Sequence, residues 1–153
     1  MEIQLLTPDH PLWQKTVSFA ENCAWKAGPF LAKRMKENGF LPWERVLAAC
    51  EGEEIVGFCT LSQKDELPEN LPYAPFIGFV FVEERYRGRR ISEKMIDRAA
   101  RYAKTLGYRC VYIMSGEQGL YEKYGFRKLC TFPGFFKING QLVDFDLMYL
   151  PIG

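Results

Sequence analysis

The chain is 153 residues long and 48% hydrophobic, enough for one core and too little for two ordinary domains, so residues 1–153 are expected to form a single domain. Its 20 basic and 19 acidic side chains leave a net charge of +1, which argues against general nucleic-acid binding, where a basic excess is the rule. One histidine, His10, and five scattered cysteines without a C-x-x-C pair argue against a metal site, a disulfide frame and a Ser-His triad.

The opening stretch MEIQLLTPDH lacks a basic segment followed by an apolar one, and no apolar run approaches bilayer length. A cytoplasmic protein with no membrane partner is therefore expected. Met1 to Leu6 alternates as a strand, and Thr7-Pro8-Asp9 punctuates it. From about Pro11, Trp13, Val17 and Ala20 form a helical stripe; Ala27-Gly28-Pro29 breaks it, and a second short helix follows through Leu31 and Met35 to Asn38-Gly39. Of the aromatics Trp25, Phe30, Phe40 and Trp43, at least half read as core, and the rest are candidates to line a pocket. Arg45–Cys50 and Ile55–Leu61 read as strands of a hairpin around Gly52. Ser62 to Pro75, with Pro68 and Pro72, reads as a loop, either a plain connection or a cover over a site.

The run IGFVFV from Ile77 to Val82 is β-branched and aromatic, which suits a short buried strand beginning at Phe76. After Glu83-Glu84, Gly88 lies among Arg85, Arg87, Arg89 and Arg90. From Ile91 the apolar residues Met95, Ala99, Tyr102 and Leu106 keep a helical period, and Gly107 marks the end. A glycine turn entering a helix presents backbone N–H groups with the positive end of the helix dipole behind them, and guanidinium groups suit paired phosphate oxygens. The stretch therefore reads as an anion site or, more plainly, as a solvated basic turn. Arg109–Met114 reads as a buried strand, Gly119–Tyr124 as a brief helix closed by Gly125, and Phe126–Cys130 as another strand. After Phe132-Pro133-Gly134, an Asn139-Gly140 hairpin leads into the alternating last strand, Leu142–Leu150.

YRGRRIS, following an apolar strand that ends in V-x-E, resembles the acyl-CoA-binding motif Gln/Arg-x-x-Gly-x-Gly/Ala of the GNAT acetyltransferase superfamily. Arg87 matches the first position; Arg90 stands where the family carries Gly, and Ser92 where it carries Gly or Ala. The segment GLYEKYGFRK, Gly119 to Lys128, resembles the family's late L-Y-E-K-x-G-F signature, in family order. The resemblance implies an α/β GNAT fold, a mixed twisted central sheet flanked by helices on both faces. It implies acetyl-CoA as co-substrate, held by main-chain contacts of Phe81 and Val82 on a bulged strand and by Arg87, Gly88, Arg89, Arg90, Ile91 and Ser92 at the pyrophosphate. The side chain of Arg90 is expected to point away from the ligand or along its phosphates.

By the same resemblance Tyr121 is the acid that protonates the leaving thiolate, and the bland alternative is a packed tyrosine. The base is open among Glu83, Glu84 and Glu117, with Glu117 preferred because its loop precedes the helix of Tyr121. No cysteine has a histidine partner, so direct transfer to a primary amine is expected rather than a covalent intermediate. The acceptor is expected to be a small-molecule amine. A protein N-terminus is one alternative, and a non-catalytic acyl-CoA-binding module is another. No nucleic-acid partner is expected, and the last strands offer a route to a homodimer.

Overall fold

The computed structural model describes residues 1–64 and 72–153. Strand β1 (Glu2–Leu6) is followed by helices α1 (Trp13–Asn22) and α2 (Gly28–Lys36), then strands β2 (Arg45–Glu51), β3 (Glu54–Ser62) and β4 (Phe76–Val82). A short 3-10 turn, Glu84–Tyr86, leads to helix α3 (Ile91–Thr105). Strand β5 (Cys110–Ser115), helix α4 (Leu120–Lys123) and strands β6 (Arg127–Ile138) and β7 (Gln141–Pro151) complete the chain. Among the described residues the strands form a seven-stranded sheet in the order β1-β2-β3-β4-β5-β7-β6. This is the α/β class expected from the sequence. The chain divides into two compact units, residues 1–62 with 77–99, and residues 63–76 with 100–153.

In the first unit, α1 buries Trp13, Thr16, Val17 and Ala20, the stripe its period requires. Helix α2 begins at Gly28, where Pro29 occupies the first turn and a missing N–H costs nothing; α1 has already ended at Asn22, so the Gly-Pro pair opens the second helix and does not, as the sequence suggested, break the first. A Cβ on Gly28 would strike the carbonyl oxygen of Ala20 and the Sγ of Cys23, so only glycine allows the two helices this approach. Lys33, Arg34 and Lys36 close α2 with charges that suit its dipole. Val46, Leu47, Ala48 and Ala49 are all fully buried, so β2 is covered on both faces and reads as an unbroken apolar run. The β2–β3 turn is tighter than expected, with Glu51 paired to Glu54 and Gly52 at φ +60. Trp25 and Phe40 pack on this core as expected, whereas Phe30 is 70% exposed and no part of the core, because it lies outside the buried stripe of α2.

In the second unit, Phe76, Met114 and Leu147 form a buried cluster, with Tyr73, Tyr112, Phe132 and Phe145 half-buried around it. Strand β7 pairs antiparallel with both β5 and β6. Asn139 and Gly140, at φ +51 and +80, make the hairpin that the Asn-Gly pair announced. Pro133-Gly134 does not end its strand. The register steps from Phe132↔Phe145 to Phe136↔Val143, so the intervening residues bulge, and the carboxylate of Asp144 accepts a 2.8 Å bond from the Gly134 N–H that the ladder leaves over. The expected loop from Ser62 to Pro75 lies partly outside the described residues, including Pro68, and so does any covering role for it.

Candidate active site

Strand β4 runs unbroken from Phe76 to Val82, and within it Phe79 sits at φ +51, a left-handed conformation that an aromatic side chain resists. Its ring and that of Phe81 both meet Trp25, Phe79 edge-on at 6.3 Å and Phe81 stacked at 5.9 Å, which anchors this part of the strand. Beyond it, β3 presses against β4: a Cβ on Gly57 would come within 2.7 Å of the Phe81 carbonyl oxygen, and the Glu83 N–H donates to Val56 O at 2.8 Å.

The turn that follows sorts its arginines. Arg85 is committed to carboxylates, Glu83 at 3.2 Å and Glu54 at 3.4 Å. Its guanidinium also lies 5.1 Å from the ring centre of Tyr86, whose hydroxyl donates to Glu54 at 3.1 Å and whose pKa is raised by that bond. Arg87 turns back onto β4, donating from Nε to Val82 O at 3.0 Å, with its guanidinium 5.9 Å from the Phe81 ring. Gly88 takes φ +82 with open space where a Cβ would be. Arg89 rests over Tyr86 at 5.1 Å and, among the described residues, is in no ion pair.

Arg90 sits at φ +59, the left-handed backbone for which glycine is the easy occupant. Its guanidinium grips Glu93 through two bonds, 2.6 and 3.1 Å. The side chain thus lies along the flank of the helix, and the Glu93 carboxyl is held below its usual pKa by the bonds from Arg90. Helix α3 then begins at Ile91, whose side chain is buried, with Ser92 half-buried in the first turn. The Lys94 N–H closes onto Arg90 O at 3.1 Å, so the N–H groups ahead of it belong to the turn that the helix cannot pair internally. Phe81, Val82 and Arg87 to Ser92 thus lie together in one unit, at the end of one strand and the start of one helix.

The second unit holds the other candidates. Tyr121 is 6% exposed on α4, with edge contacts to Tyr124 at 6.1 Å and Phe126 at 5.9 Å, and its carbonyl accepts from the Phe126 N–H at 3.1 Å. Glu117 is exposed; its backbone N–H donates to Ser115 Oγ at 2.9 Å, folding the loop back over the end of β5. Sequence reasoning passed over Asp146. It faces Ser115 across the β5–β7 ladder, is 7% exposed, and accepts a 2.7 Å bond from the Thr131 hydroxyl. The signal for it was slight, one acid in an alternating strand whose polar face was expected to meet water. Among the described residues no three His, Cys, Asp or Glu side chains are grouped to hold a metal ion, and no helix is long and apolar enough to cross a membrane.

Compared with known families, residues 4–126 match the model of the Acetyltransferase (GNAT) family. The chain belongs to that family. It is accordingly an acetyl-CoA-dependent N-acetyltransferase by class. No match is found among curated proteins. Among solved structures, this GNAT acetyltransferase is similar to aminoglycoside 6'-acetyltransferase type Ii, with TM-score 0.77 and 19% identity over 100% of this chain and 98% of the other. It is similar to yncA from Salmonella typhimurium, solved with its cofactor acetyl-CoA, with TM-score 0.71 and 16% identity over 100% and 94%. The ribosomal-protein-alanine N-acetyltransferase from Brucella melitensis gives TM-score 0.67 and 17% identity over 99% of each chain. At these identities the likeness is one of fold.

Proposed function

We propose that this GNAT acetyltransferase moves the acetyl group of acetyl-CoA directly to a primary amine of a small molecule. The observation that carries the reading is the turn from Gly88 to Arg90. Two left-handed residues, φ +82 and +59, deliver the chain into the first turn of a 15-residue helix beside a cation, Arg89, that is in no ion pair among the described residues. The positive end of the helix dipole and the Arg89 guanidinium together match a pyrophosphate. Arg90, committed to Glu93, shapes the turn, and Arg87, committed to Val82 O, ties it to the strand. Main-chain groups of Phe81 and Val82 flank the pantetheine arm. Acetyl-CoA, when bound, supplies the activated acyl group; Tyr121 supplies the proton that the departing thiolate takes up.

A small acceptor is favoured by the half-buried rings of Phe19, Trp25 and Phe79, which rest on the buried Phe58 and Phe81 and offer an apolar wall beside β4. Calorimetric titration with acetyl-CoA tests the first half of the reading. Saturable binding that weakens about tenfold or more in Arg89→Ala and in Gly88→Val is expected, each loss corresponding to at least one charge-assisted contact. Thiol release with a panel of primary amines tests the second half. Tyr121→Phe is expected to keep cofactor affinity and lose roughly a hundredfold or more in turnover. A protein that binds acetyl-CoA and releases no thiol with any amine would be a binding module instead.

A further inference from the structure

Asp146 is a largely buried acid. It is 7% exposed, and among the described residues one of its oxygens accepts from Thr131 Oγ1 at 2.7 Å, the other is not fully enclosed, and it is in no ion pair. A buried carboxylate ordinarily carries two or three donors or a cation, since removal from water is costly otherwise. Among the described residues no cation pairs with it from the same face of the sheet. Ser115, directly opposite on β5, accepts from Glu117 N at its hydroxyl oxygen and makes no bond to Asp146. Asp144 is spent on the Gly134 N–H, and Lys128, paired with Met148 on β6, is exposed. Asp146 is also placed at the carboxyl end of β5, where the chain leaves the sheet through the loop of Glu117 and enters α4 with Tyr121. Strand ends of this kind are where α/β sheets bind their ligands.

We propose that Asp146 is the base of the transfer reaction, and that Thr131 positions its carboxylate; the proposal rests on the transferase reading above. The acceptor arrives as an ammonium ion, the donor-rich cation that this carboxylate lacks, and gives one proton to Asp146. The neutral nitrogen then forms the C–N bond as the C–S bond breaks. The second proton lost by nitrogen ends on the coenzyme A thiolate by way of the Tyr121 hydroxyl, and Asp146 returns the first to solvent. Glu117, exposed and with its amide folded onto Ser115, is left as a loop residue.

Hydroxylamine separates a base from a structural role, because it is largely neutral near pH 7 and needs no proton removed before attack. Asp146→Asn is expected to bind acetyl-CoA within about twofold of the unaltered protein, to keep hydroxylamine-driven thiol release, and to lose about a hundredfold or more with alkyl primary amines. Asp146→Glu should recover part of that loss. Thr131→Val should lose part of the alkylamine rate while keeping hydroxylamine-driven thiol release, as a residue that positions the carboxylate requires. Equal loss with hydroxylamine and with amines would assign Asp146 to structure and overturn the proposal. So would full amine turnover in Asp146→Asn, or a selective loss in Glu117→Gln in its place. If the unaltered protein binds acetyl-CoA and acetylates nothing, the transferase reading itself falls, an outcome distinct from a silent Asp146 variant in an active enzyme.

Discussion

Arg90 holds a backbone conformation that side chains other than glycine resist, at φ +59, and its two bonds to an exposed Glu93 offer little in return. The backbone cost is therefore separable from the side chain. Arg90→Gly should melt above Arg90→Ala by roughly 2–4 °C, equivalent to about 1 kcal/mol, because both lose the ion pair and only glycine relaxes the turn. A differential scanning melt of the two variants checks this; equal melting temperatures would mean that the turn is not held left-handed in solution. Cys59 makes a second residue-scale case. Burial alone pushes its thiol up to about 12 from 9.0, so the folded protein keeps the proton in a range where the unfolded chain releases it. A raised folded pKa contributes stability that is complete below about pH 9 and is lost as pH rises towards about 12, on the order of 4 kcal/mol across that range. Denaturant midpoints measured from pH 8 to 11 should fall more steeply for the unaltered protein than for Cys59→Ala.

Element by element, helix α3 was the most legible part of the chain and strand β4 the least. The period of Ile91, Met95 and Ala99 reports the buried face of α3 directly, and each of the three is at most 2% exposed. The positive φ of Phe79 has no such marker. Nothing in FIGFVFV distinguishes it from its neighbours, because the residues that surround it, Trp25 among them, come from elsewhere in the chain. Gly57, close against Phe81, is sensitive. Gly57→Ala would place a methyl group 2.7 Å from the Phe81 carbonyl oxygen, forcing β3 and β4 apart. A loss of about 1–3 kcal/mol in urea denaturation is expected, together with weaker acetyl-CoA binding, since Phe81 and Val82 are displaced. Unchanged affinity in that variant would remove those residues from the cofactor site. Strand β6 teaches the same lesson: Pro133-Gly134 looks like a terminator, and only Asp144, placed opposite by the β7 register, turns it into a bulge.

For the whole molecule, a net charge of +1 means that any hold on a polyanionic cofactor is local to the turn rather than spread over the surface. Acetyl-CoA at about a hundred times its Kd should raise the melting temperature by roughly 5–10 °C, through about 2.7 kcal/mol of linkage, and Arg89→Ala should remove about half of that rise or more. Retention on DNA that weakens steeply with salt would contradict the charge argument. Family, fold class and the position of the glycine-arginine turn were written in the sequence, because they depend on local features: apolar period, glycine and arginine spacing, and short signatures in a fixed order. The tertiary structure decided how the arginines divide, with Arg85, Arg87 and Arg90 tied to protein partners and Arg89 in no ion pair among the described residues. It also decided that Phe79 takes a positive φ within β4 and that the buried carboxylate of Asp146 lies beside Ser115. These are facts of partnership between residues far apart in the chain, and a partner's identity is fixed by strand register and packing, to which linear spacing is blind.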